Sequence, residues 1–247
     1  LPLIMGKDAD GNVSKLSKRH GATGFYDLID EGYLPEAIIN YIALLGWCPK
    51  DNQEIFTLKE LEKAFDISGI SKSPAVFDYD KLSWFNGEYI KAITPEKFTE
   101  VAMPYYKKVF GDKQMPYEKF AAILQKRTTQ LTQIPEMLDF FAELPSYTKE
   151  LFVNKKSKTN LENSPVVLKE AYDRLKAMPE WNETSIHDCL INMAVEKELK
   201  NGTVMWPVRI AAAGKTVTPG GAVEILDILG RDESLARLEK GMAILAE

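Results

Sequence analysis

Apolar residues recur at helical spacing along most of this chain, and the polar residues between them punctuate helices rather than strands. In the segment 34–47, Pro35 suits a first helical position and Gly46 a C-terminal stop. Between them Ile38, Tyr41, Ile42 and Leu45 fall on one face, which predicts a core helix. Thr57 with Glu60 three residues on reads as a capping box for a helix over 58–65, with Leu58, Leu61 and Phe65 sharing a face. A helix over 78–93 follows, and Thr94-Pro95 opens another. The stretch 116–141 predicts two helices meeting near Pro135, and helices are predicted over about 164–177, 183–200, 219–229 and 231–245. Between them, 154-NKKSKTNLENSP-165 is polar and basic, the best linker candidate. Only the apolar run 1–5, ending in the turn-rich 6-GKDADGN-12, reads as a buried strand leaving for a loop. A chain beginning in mid-strand is expected to have been cut from something longer. The fold class is mostly α, a helical bundle in several modules.

Composition narrows this picture without changing it. With 45% hydrophobic residues among 247, the chain can build real cores. No apolar run approaches the roughly 20 residues of a membrane span, so no membrane association is expected. Two cysteines, Cys48 and Cys189, form neither a disulfide framework nor a metal pattern; both sit in apolar helical contexts and read as small core residues. No metal site is expected, and the compartment expected is the cytoplasm. The net charge of −5 excludes a general nucleic-acid coat, but not an enzyme with basic groups gathered on one face.

Candidate chemistry is sparse. In 15-KLSKRHG-21, Lys15 and Lys18 could set ammonium charge on phosphate oxygens and Ser17 could donate a hydrogen bond, although short two-lysine stretches are also ordinary surface. There is no Walker A sequence, and neither of the two histidines, His20 and His187, falls in a hydrolase or zinc-protease motif. Two segments have donors suited to single-stranded RNA: 124-LQKRTTQL-131, with Arg127, and 205-MWPVRIAAAGKTVTPGG-221, where Arg209 precedes a turn holding Thr218, Pro219 and two glycines. Taken alone, each reads first as an ordinary surface loop.

Together, 15-KLSKRHG-21, 31-EGYLPEAIINYIALLGW-47, 54-EIFTLKELEKAFDI-67, 73-SPAVFDYDKLSWFNGEYI-90 and 206-WPVRIAAAGKTVTPGGAVEILDILG-230 resemble, in this order, the C-terminal two-thirds or so of the bacterial glutamyl-tRNA synthetases. The first block is similar to the second signature loop of class I synthetases, with Leu16 and Arg19 in place of its Met and final Ser. The resemblance implies a remnant of an α/β catalytic domain over 1–21, a helical stem-contact module over 22–95, and an α-helical anticodon-binding cage in two modules, 96–160 and 161–247. It implies a parent enzyme that is an ATP-dependent glutamate–tRNA ligase using Mg2+, with glutamate and tRNA(Glu) as partners, acting as a monomer. Lys15 and Lys18 are then catalytic candidates, stabilising charge on the phosphates, and Ser17 and Lys18 bind ATP. Arg127 matches an arginine that reads the third anticodon base, and Arg209, Thr218 and Pro219 match a cluster holding the first two. Gly221 stands where an aliphatic residue is expected. Arg127 further suggests an enzyme that discriminates against the glutamine tRNA. The family's nucleotide-binding sheet and His-Ile-Gly-His signature precede the loop and are absent from these residues, so this stretch alone is expected to form no adenylate and to bind no cofactor. The readings competing with this are a glutaminyl-tRNA synthetase, disfavoured by the helices after 96, a short glutamyl-queuosine synthetase, disfavoured by the anticodon cage, and a free-standing helical RNA- or protein-interaction module.

Overall fold

The computed structural model describes residues 2–8, 10–17, 20–21 and 24–247. Among these, twelve α-helices accompany one three-stranded sheet of order β2-β1-β3. The chain divides into two compact units, Leu1–Tyr106 with Gln125–Ile134, and Lys107–Leu124 with Pro135–Glu247.

The first unit opens on the sheet. β1 (Ile4–Lys7) turns through Gly11, in the left-handed region, into antiparallel β2 (Val13–Lys15), and β3 (Ala75–Phe77) pairs parallel to β1. The Asp8 carboxylate fastens the turn, accepting from the Asn12 backbone N–H (2.8 Å), the Asn12 side chain (3.1 Å) and the Asp10 backbone N–H (3.0 Å), and these bonds, those of Asn12 foremost, hold its pKa below the usual carboxylate range. Thus the apolar N-terminal run is not a buried strand: β1 is a half-buried hairpin arm, flanked among the described residues only by the short strands β2 and β3. Its Ile4, with Leu16, packs on a core of Leu28, Tyr33, Ile38, Tyr41, Phe77, Leu82 and Phe85.

Around that core lie α1 (Phe25–Asp30), α2 (Pro35–Gly46), α3 (Leu58–Ala64) and α4 (Tyr79–Ala92). The capping box of α3 forms as expected, Thr57 and Glu60 exchanging side-chain and backbone bonds. Two apolar faces differ from expectation. On α2 the buried positions are Ala37, Ile38, Asn40 and Tyr41, and Ile42 is exposed; on α3 only Leu61 is buried. The buried Asn40 explains the shift of the α2 stripe. Its Oδ1 accepts from Phe56 N–H (2.8 Å) and Tyr89 O–H (2.6 Å) and its Nδ2 donates to the Glu54 carbonyl (2.9 Å), so a polar residue occupies an inward-facing position. Cys48, beyond the end of α2, is exposed rather than in the core.

α5 (Pro95–Phe110) carries the chain into the second unit, which holds α6 (Tyr117–Leu124), nearly all of α7 (Ile134–Ala142), α8 (Asn163–Ala177), α9 (Glu183–Glu196), α10 (Asn201–Ala213), α11 (Ala222–Leu229) and α12 (Arg231–Ala246). α6 and α7 do not meet at Pro135. Nine residues separate them, and Pro135 is the second residue of α7, where its missing N–H is harmless. The helix expected over 183–200 ends at Glu196, and a further helix, α10, runs through Pro207. Its Val204, Val208, Ile210 and Ala211–Ala213 are buried against α8, α9, α11 and α12. That burial outweighs the one backbone bond the proline removes. Gly241 of α12 permits a close approach, since a β-carbon there would lie 2.6 Å from that of Ala211. The polar stretch 154–165 is no spacer between the units: it lies inside the second, with Thr159 and Ser164 buried.

Candidate functional site

Three places carry the expected site residues, and each is built differently. The first is the loop after β2. Lys15 ends β2 and is exposed, as is Ser17. Lys18 lies outside the described residues. His20, which carried no assigned role in the sequence reading, organises what is described. Its Nδ1 lies 3.1 Å from both the backbone N and the hydroxyl of Ser17, and its Nε2 lies 3.1 Å from the Ser14 hydroxyl. A ring protonated on Nε2 alone satisfies this arrangement, accepting from the Ser17 N–H and donating to Ser14. Gly6 makes room, since a β-carbon there would sit 2.6 Å from the imidazole. Lys15 and Ser17 thus present a cation and a hydroxyl on one exposed edge. Among the described residues no group of three His, Cys, Asp or Glu could hold a metal ion.

The second place is the turn 125–127 that follows α6. Arg127 is exposed and makes no hydrogen bond or ion pair among the described residues. The chain two residues to either side of it, however, is tied. Gln125 donates from Nε2 to the carbonyls of Ile90 (2.9 Å) and Ile93 (2.7 Å) at the end of α4. Asn86 of α4 is fully buried, accepts from Leu34 N–H (2.7 Å), and donates to the carbonyls of Gly32 (3.2 Å) and Thr129 (2.6 Å). Gly32, with φ 90°, receives the Leu131 N–H (3.0 Å) at so close an approach that a β-carbon would lie 2.8 Å from that nitrogen. A rigid base therefore presents a guanidinium to solvent.

The third place is the loop from the end of α10 to α11. Here the arginine is held as well as its backbone. The Arg209 guanidinium lies over the Trp206 ring, 4.6 Å from its centroid, and donates to the Thr216 carbonyl at 3.0 Å. The loop leaves α10 through Gly214 in the left-handed conformation, and Lys215 ties it to α7 through Asp139, at 2.5 and 2.7 Å. Thr218 and Pro219 are buried, and the Thr218 hydroxyl donates to the Gly220 carbonyl at 2.7 Å, so it braces the turn from within. Gly221 caps α11, its N–H donating to Glu224 at 3.1 Å; a β-carbon there would lie 2.9 Å from that carboxylate oxygen. Beneath this loop the buried Arg237 of α12 donates to the carbonyls of Phe140 (2.7 Å) and Ala212 (2.9 Å), fixing the last turns of α7 and α10 together. Trp206 itself donates to the Leu151 carbonyl at 2.9 Å. Arg209 and Trp206 form part of the wall of a cleft of about 310 Å3.

The aromatic-backed arginine and its cleft stand on an all-helical scaffold, and comparison with known proteins gives the class of that scaffold. Residues 97–242 match the family described as the anticodon binding domain, and residues 8–84 match the catalytic domain of class I tRNA synthetases (E and Q). The chain belongs to this anticodon-binding family, and its relatives are glutamate–tRNA ligases. It is 51% identical over 241 residues to the glutamate–tRNA ligase of Clostridium kluyveri, covering 98% of this chain and 48% of that protein. With that of Clostridium novyi it shares 47% over 249 residues, covering 100% of this chain and 50% of the relative. The chain thus spans about half the length of the relatives it matches. Among solved structures it is similar to a glutamate tRNA ligase from Elizabethkingia meningosepticum in complex with its amino acid, at 28% identity and TM-score 0.74, over 99% of this chain and 46% of that one. A similar match is the glutamate-tRNA synthetase of Elizabethkingia anophelis, at 26% identity and TM-score 0.73, over 98% of this chain and 46% of that one.

The residues that sequence reasoning missed are Asn86, Gln125, Trp206 and His20. Trp206 could have been found, because it stands three residues before Arg209 on one helix face. Asn86 and Gln125 could not, since each acts on backbone groups far away in sequence.

Proposed function

We propose that these residues are the tRNA-reading part of a glutamate–tRNA ligase, and that Arg209 and Arg127 read the anticodon of tRNA(Glu). The observation that carries this is Arg209 held over Trp206 at 4.6 Å beside a cleft, inside the residues that match the anticodon-binding family. Splayed bases are recognised by such pairings of a π face with directed donors. Residues 22–95 would contact the stem, and 96–160 with 161–247 the anticodon loop. Thr218 and Pro219 would act by shaping the loop that carries the first two bases.

Arg127 would read the third base. A guanidinium donates to the acceptors of cytosine, whereas guanine offers donors on the same edge. Donor against donor costs about 1–3 kcal/mol, enough to favour the glutamate over the glutamine tRNA.

In a longer ligase, ATP with Mg2+ would supply the activation of the glutamate carboxylate. From this chain, Lys15 and Lys18 would stabilise charge on the phosphates, and Ser17 would line their path. The 247 residues tested alone should bind tRNA without forming adenylate. Binding of the anticodon stem-loop, followed by fluorescence anisotropy as salt is varied, tests the reading. A chain with no salt-dependent affinity for that stem-loop would instead be an interaction module for other partners. ATP–pyrophosphate exchange by these residues alone would overturn the expectation of inactivity.

A further inference from the structure

The basic stretch singled out as a linker is an ordered turn fixed to the helix that bears Arg209. Asn154 and Thr159 pair through both of their backbone bonds at 3.1 Å, and the Asn154 side chain accepts from Ser157 N–H at 2.9 Å. Thr159 donates its hydroxyl to the Phe152 carbonyl at 2.7 Å, and Lys158 holds φ 55° to close the turn. Two bonds then join this element to α10. The Thr203 hydroxyl donates to the Ser157 carbonyl at 2.7 Å, and the Trp206 indole donates to the Leu151 carbonyl just before the turn. Ser157 also packs over Gly202, where a β-carbon would sit 3.5 Å from the Ser157 hydroxyl.

Three lysines, Lys155, Lys156 and Lys158, project from this turn. All are exposed, and none makes an ion pair among the described residues, although the chain is net acidic at −5. Lys156, Asn154 and Ser157 also line the cleft that Trp206, Arg209 and Gly221 line. One cleft therefore has an aromatic ring, a guanidinium and the Lys156 side chain in its lining, on a turn that carries two further exposed lysines, Lys155 and Lys158. An acidic protein partner would use the lysines but not the ring; a single RNA strand uses both, since its bases stack while its phosphates seek charge.

We propose that the turn 154–159 is a phosphate-binding element that grips the RNA strand beside the base held at Arg209. This rests on the tRNA-reading function above and adds a site to it. Ammonium groups on phosphates contribute affinity and salt dependence but carry no base information.

The test is a chain with Lys155→Gln, Lys156→Gln and Lys158→Asn, the last because asparagine tolerates a positive φ. Its helix content and unfolding temperature are compared with the unsubstituted chain. A control chain carries Lys169→Gln and Lys240→Gln, on α8 and α12. Binding of the tRNA(Glu) anticodon stem-loop is measured between 50 and 200 mM salt. With about 0.7 counterion released per single-strand phosphate, three lost contacts flatten the slope of log affinity against log salt by about 2. The penalty between the two salt concentrations then shrinks by about 16-fold. Preference for the glutamate over the glutamine stem-loop stays the same, and the control keeps the original slope. An unchanged slope in the folded triple variant, or an equal flattening in the control, overturns the lysine turn while leaving the anticodon reading standing. No binding by the unsubstituted chain overturns both, and that outcome is recognised before any variant is made.

Discussion

Arg127 and Arg209 carry the same functional group, one on the turn after α6 and the other near the end of α10, and their surroundings differ. At Arg127 the backbone is clamped by Asn86 and Gln125 and the guanidinium is bare to solvent. At Arg209 the guanidinium itself is laid on Trp206 and bonded to Thr216. An exposed arginine must give up side-chain freedom when it binds, at about 1–2 kcal/mol. One already ordered does not, so its contacts convert more fully into affinity. The comparison suggests a division of labour in which Arg209 supplies binding strength and Arg127 supplies choice between bases.

The comparison breaks most severely at Asn86. Asn86→Leu leaves the Leu34 N–H and the carbonyls of Gly32 and Thr129 without their buried partner, and should cost about 3 kcal/mol of stability. Chemical denaturation measures this, and the surviving folded protein should have lost most of its base preference. An Asn86 variant as stable as the parent would show that the clamp is not one. Arg209→Ala should come next, lowering affinity for the stem-loop about 30-fold, or about 2 kcal/mol, as expected for a central arginine anchor. Trp206→Ala should give a smaller loss in the same titration, because it removes the shelf and not the donors. Arg127→Gln should barely change affinity for the glutamate stem-loop but narrow its advantage over the glutamine one by about tenfold. An undiminished preference would assign the third base to another residue.

Alkali provides a gentler test of the packing within each unit. Burial raises the pKa values of Tyr41 and Tyr89 in the first unit and Tyr147 in the second to about 12. The folded state thus keeps protons that the unfolded chain releases near pH 10. Their contribution is complete below about pH 10, declines as pH rises through the folded values, and is gone above them. Denaturation midpoints should fall progressively above about pH 10, and a flat midpoint through that range would contradict the burial of these phenols.

Local signals explain what could be read in advance. The capping box at Thr57 and Glu60 depends only on residues three apart, and it formed as written. On α2 Ile38 and Tyr41 are buried as the spacing predicts, whereas Asn40 takes an inward position and Ile42 is exposed, because the partners of Asn40, Phe56 and Tyr89, lie elsewhere in the chain. α10 escaped notice because Pro207 argues against a helix on its own, and only burial among four neighbouring helices overrides it. The same limit applies at the site. Arginines within donor-rich segments are visible in a sequence, whereas the asparagine and glutamine that fix their backbone become visible only in three dimensions.

α10 also sets distances. Thr203, Trp206 and Arg209 recur every three residues along it, so the helix works as a ruler whose graduations are set by backbone geometry. The six residues from Thr203 to Arg209 correspond to about 9 Å of rise. Deleting or inserting one residue between them would swing the lysine turn about 100° around the axis relative to the arginine. Selection on this segment should therefore fall on its length as strictly as on its side chains.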